Sequence, residues 1–72
     1  MKRQAVHPVT RLEMLRRERG LTHDELAHDA GTVRHTIWRA EAGLGYPVLL
    51  TAIRIARRLG VTVEELWGEE AG

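Results

Sequence analysis

Apolar residues recur at helical spacing in five places along the chain, and glycines punctuate them. Val9, Leu12 and Leu15 lie three apart, and Gly20 stops that stretch at about residue 19. The segment LTHDELAHDAG then opens on Thr22 as the expected N-cap. Glu25 follows three residues later, the spacing of a capping box. Leu26, Ala27 and Ala30 form its inward side and Gly31 ends it. After a brief turn, VRHTIWRAEAG gives another short helix, with Ile37 and Ala40 inward and Gly43 as the stop. Beyond the LGYP turn, VLLTAIRIARRLG is amphipathic. Leu49, Ala52, Ile53, Ala56 and Leu59 read as inward, Arg54 and Arg58 as outward, Arg57 as edge, and Gly60 as the end. VTVEELWG repeats the capping-box spacing with Thr62 and Glu65, and Leu66 and Trp67 close it as an apolar pair.

No alternating strand pattern competes, and no repeat or low-complexity run interrupts the series. The pattern predicts an all-α chain, a compact domain of five short helices. The expected organisation is a flexible basic arm over residues 1–8, broken off at Pro8, a domain over 9–68 and a short acidic tail over 69–72. A chain of 72 residues is one small domain, and such a domain buries only about 60% of its unfolded surface. It contains no cysteine, so no disulfide supports the fold. The start, MKRQAVHPVT, is basic without an apolar run, and no apolar stretch is long enough to cross a membrane. The expected location is the cytoplasm.

Charge changes the picture in its distribution rather than its total of +1. Residues 1–39 hold eight Lys and Arg against five Asp and Glu, and residues 40–72 hold three against five. All four histidines lie in the first part. A basic half beside an acidic half suits one face to an anion, although ordinary scatter on a solvated surface gives imbalances of this size. Lys2 and Arg3 read as a disordered tail or as an arm reaching phosphates or the minor groove.

The two central helices have almost no linker. Ala27 is small and Gly31 permits a sharp turn, which is what a helix-turn-helix needs. On the second of these helices, residues 34, 35, 38 and 39 share a face opposite Ile37 and Ala40. Arginine can donate two bonds to guanine, and histidine can donate or accept. Arg34, His35 and Arg39 on that face are thus suited to reading base edges; a merely solvated helix face is the bland alternative.

The pieces LRRERGLTHDELA, AG, RHTIWRAEAG, YP and AIRIARRLGVTVEELW, running from Leu15 to Trp67, resemble the lambda-repressor and Cro-like helix-turn-helix family, also called the xenobiotic-response-element family of bacterial and phage regulators. The resemblance implies that the first helix of the motif crosses the DNA backbone. The second, about Val33 to Ala42, would enter the major groove. It implies base contacts from Arg34, His35 and Arg39, with Trp38 beside them, and phosphate contacts from Thr22, His23, Val33, Tyr46 and Arg16. His23 stands where the family most often has glutamine, and a pH-sensitive phosphate contact is one expectation there. Arg16 and Glu41 match an arginine–glutamate ion pair joining the first helix to the end of the recognition helix.

The order Thr32–Val33 departs from the family pattern. Either Thr32 caps the recognition helix one position early, or Val33 faces DNA. Trp38 is large for its position and suits sugar–phosphate packing, a thymine methyl or a partner protein; partial burial against the domain is the bland alternative. Trp67, with Leu66, reads as core or dimer interface.

No catalytic residue, metal site or cofactor is expected. His23 and His28 are five apart, off a common helix face, and no nucleophile stands beside a spaced base. The expected function is a sequence-specific regulator of transcription on double-stranded DNA, a repressor working as a two-fold homodimer on an inverted repeat. The alternative is a protein-interaction module such as an antitoxin or phage factor that binds a partner protein.

Overall fold

The computed structural model describes residues 9–71. The expected arm, with Lys2, Arg3, His7 and Pro8, lies outside the described residues, as does Gly72. Five α-helices follow one another: α1 Arg11–Glu18, α2 His23–Asp29, α3 Arg34–Glu41, α4 Leu49–Leu59 and α5 Val63–Ala71. Among the described residues there is no strand, so the class is all-α.

Their boundaries follow from local chemistry. The Thr10 hydroxyl accepts from the Glu13 amide at 3.1 Å and starts α1, a cap that the apolar spacing alone did not mark. Thr22 and Glu25 form the expected capping box on α2, and Thr62 and Glu65 the one on α5. At the end of α2, Gly31 has φ +69°. That left-handed turn lets the Gly31 amide donate to the His28 carbonyl at 3.1 Å and the Thr32 amide to the Ala27 carbonyl at 2.9 Å. The same pair of bonds closes α1, α3 and α4.

Leu12, Leu26, Ile37, Ile55 and Leu59 are fully buried, and Ala27, Ala30, Ala40, Ala56 and Leu66 fill the space between them. The alanines let α3 cross α2 closely. α4 packs on α2 and α5, and α1 braces α3 and α5.

One expectation is corrected. The inward stripe of α4 is Ala52, Ile55, Ala56 and Leu59. Ile55 is fully buried, Ile53 is half-buried and Leu49 is 73% exposed. The helical rows 52–56 and 55–59 set the phase, and Leu49 falls on the first turn, where α4 projects past the core. The acidic tail, in turn, continues α5 as far as Ala71. The Tyr46 hydroxyl donates to Glu70 Oε1 at 2.5 Å and ties that last turn to the α3–α4 loop.

Candidate nucleic-acid interface

Ile37 and Ala40 press α3 onto the body of the domain, and the opposite face is left to solvent. Arg34, His35, Trp38 and Arg39 all lie on the exposed side. The Trp38 indole, 46% exposed, stacks on the His35 ring with centroids 5.6 Å apart and planes 21° from parallel. This offset stacking holds the two rings together as one aromatic pair. Among the described residues, no hydrogen bond or ion pair engages the Arg34 side chain. Arg39 is engaged: its Nη2 donates to the Leu44 carbonyl at 2.6 Å and pins the turn after α3. Its guanidinium thus has a structural task beside any contact with bases.

The start of α3 removes one of the two readings of Thr32–Val33, the early cap. Val33 is the N-cap, with φ −112° and ψ 158°, no side-chain cap bond and 64% exposure. Thr32 does not cap the helix; its amide closes α2 instead. The first amides of α3 therefore lack a side-chain acceptor.

A buried network anchors α3 from its other end. Arg16 Nε donates to Glu41 Oε2 at 2.5 Å, Arg16 Nη2 to Glu41 Oε1 at 3.1 Å, and Arg16 Nη1 to the Leu21 carbonyl at 2.8 Å. Both side chains of the pair are buried. The hydrogen bond to Glu41 raises the Arg16 guanidinium above its ordinary value, against the lowering effect of burial. The expected pair is present, joining α1 to the end of α3. His23 completes it, with Nε2 3.0 Å from Glu41 Oε1, a third member that the spacing of the sequence does not reveal.

Arg16, Thr22, His23, Asp24 and Arg34 line one recess beside this network. The Thr22 hydroxyl accepts from the Glu25 amide at 3.0 Å, which leaves its own hydrogen free to donate. Thr32, Thr36, Arg39, Tyr46 and Thr51 line a second recess on the other flank of α3. Thr36 and Thr51 were missed in the sequence, since only the crossing of α3 and α4 brings them together. Arg17, also missed, shares a cleft with Trp38 and pairs with Glu13 at 2.5 Å. Its signal was available: it is the i+4 partner of Glu13.

Two expected site residues are already engaged within the domain. The Tyr46 hydrogen is committed to Glu70, and that bond raises the phenol above its ordinary value of 10.0. Tyr46 would have to release Glu70 before donating to a phosphate. Leu66 is in the core at 4% exposure and has no area to give a partner. Trp67 is partly buried against the same core.

Two short helices joined by a glycine turn, the second held outward by an apolar underside, match the helix-turn-helix domain family over residues 9–67. The chain belongs to this family. The helix-turn-helix domain is 51% identical over 45 residues to an uncharacterised HTH-type transcriptional regulator of Methanothermobacter thermautotrophicus, covering 62% of this chain and 65% of that protein. It is 37% identical over 68 residues to another such regulator of Archaeoglobus fulgidus, covering 83% of this chain and 97% of that protein. The first match thus spans just under two thirds of that relative's length. Both relatives are archaeal, whereas the sequence resemblance pointed to bacterial and phage regulators. No solved structure matches. No helix among the described residues is long and apolar enough to cross a membrane.

Proposed function

We propose that this domain binds double-stranded DNA, reads its sequence by laying α3 in the major groove, and regulates transcription as a repressor. The observation that carries the reading is the exposed face of α3. Arg34 and His35 face solvent, Trp38 leaves about half of its indole open beside them, and a buried ion pair fixes the helix that bears them. Arg34 and Arg39 suit guanine, His35 can donate or accept, and Trp38 and Val33 suit a thymine methyl or the sugar. Thr22 and His23 flank the groove on one side as phosphate contacts, with the buried Arg16 behind them. The relatives' names support the regulatory role.

One eight-residue helix reads few base pairs, so the reading includes a two-fold dimer with half-sites about 34 Å apart. Leu44, Val48, Leu49 and Leu50 are more than half exposed around the α3–α4 turn and supply apolar area for the twin. The same patch supports the second reading, a module that grips a different protein.

Selection from random duplexes at two salt concentrations tests both. Enrichment of an inverted repeat supports the dimeric regulator, and weak binding without enrichment, lost in salt, removes it. On the enriched duplex, Arg34→Ala is expected to cost about 1–3 kcal/mol and to relax the preference at its base pair. Full binding by that variant, with loss confined to a protein complex on Trp38→Ala, would favour the interaction module.

A further inference from the structure

His23 is the first residue of α2, and its Nε2 faces Glu41 Oε1 at 3.0 Å. Glu41 is the carboxylate of the Arg16 ion pair, so it can only accept. Nε2 must therefore carry a hydrogen. In a neutral ring that leaves Nδ1 as an acceptor. Among the described residues, no hydrogen bond ends on Nδ1, and the side chain is 26% exposed in the recess that it shares with Arg16, Thr22, Asp24 and Arg34.

A backbone phosphate drawn to Arg34 in that recess also only accepts. An acceptor Nδ1 would oppose it, while an imidazolium donates from both nitrogens. We propose that His23 bridges Glu41 and a DNA backbone phosphate as an imidazolium, and that DNA binding at this recess therefore takes up a proton. The proposal rests on the DNA-binding reading above.

The charged groups around the ring are accounted for on every helix packed against it. Glu41 and Arg34 belong to α3, Arg16, Arg17 and Glu13 to α1, and Asp24 to α2. Three carboxylates and three guanidiniums balance in the free domain. The phosphate is the charge that binding adds, and it favours the protonated ring. Affinity accordingly falls as pH rises, with Kd increasing by up to about tenfold per pH unit where one full proton is taken up.

The test uses the enriched duplex from about pH 6 to about pH 8, with calorimetry in two buffers of different ionisation enthalpy to count protons. The wild-type chain is expected to take up close to one proton and to lose affinity with rising pH. His23→Gln has two amide donors, one for Glu41 and one for the phosphate, at any pH. It is expected to bind with a flat pH profile and no uptake. His35→Gln, on the face of α3, is expected to bind more weakly but to keep the slope.

Wild-type binding that is flat across this range, or a slope that survives in His23→Gln and vanishes in His35→Gln, overturns the proposal and leaves the DNA reading intact. Absence of wild-type binding at every pH overturns that reading itself. If His23→Gln does not fold, the proton count of His35→Gln decides the matter: uptake that vanishes there overturns the proposal, and uptake that persists supports it.

Discussion

Glu41 is the residue at which three helices meet through hydrogen bonds. One carboxylate receives Arg16 from α1 and His23 from α2 while belonging to α3. In water such a pair is worth little, but here both partners are buried. The asymmetry then matters: removing one partner strands the other's charge. Glu41→Gln is expected to lower stability by about 3 kcal/mol and Tm by about 12–24 °C, as read by circular dichroism on heating. Replacing both members by apolar residues of similar volume, Arg16→Met with Glu41→Leu, is expected to recover most of that loss. A small effect of the single change would mean that water reaches Arg16.

At the scale of the element, α2 and α3 begin differently. α2 has a complete capping box, and α3 begins on exposed Val33 with no side-chain acceptor for its first amides. A residue optimised for stability at this N-cap would be Ser, Thr, Asp or Asn. Val33→Ser is therefore expected to stabilise the domain by about 1 kcal/mol in urea unfolding. If Val33 touches DNA, the same change weakens binding while it strengthens the fold. That opposition is the signature of a position kept for its partner rather than for its helix. A variant with unchanged stability would show that water already caps α3 as well as a hydroxyl does.

Across the whole molecule, ties between distant elements decide how the domain responds to acid. Arg58 Nε donates to Asp29 Oδ2 at 2.6 Å and joins α4 to the end of α2. That bond, helped by His28, holds the Asp29 carboxyl below its ordinary 3.8. The Thr62 amide and hydroxyl likewise hold Glu65 below 4.5. A carboxyl lowered on folding stabilises the native state above the unfolded value, and this contribution disappears as pH falls through the folded value. Thermal stability is therefore expected to hold down to the ordinary carboxylate range and to decline below it. Asp29→Asn is expected to flatten the part of the decline due to that residue. An unchanged acid limb in this variant would mean that solvent screens the Arg58 bond fully.

The sequence by itself determined the class, the number and order of helices, the glycine stops, two capping boxes and the helix-turn-helix at α2 and α3. These depend on contacts within a few residues, which spacing and side-chain chemistry already specify. The exposed face of α3 was legible for the same reason, since one helical period fixes which residues oppose Ile37 and Ala40. Tertiary structure alone decided what depends on neighbours far along the chain. Packing against α2 and α5 chose Ile55 over Leu49 and Ile53 as the core residue of α4, because a stripe of several apolar residues leaves its own phase open. Tyr46 and Glu70 lie 24 residues apart, and only the fold brings them together to lengthen α5 and to occupy the phenol. His23 and Glu41 meet across the crossing of α2 and α3, which adds a contact with the buried ion pair to a residue expected at a phosphate. Local rules choose the elements; which side chains share a hydrogen bond depends on where the elements cross.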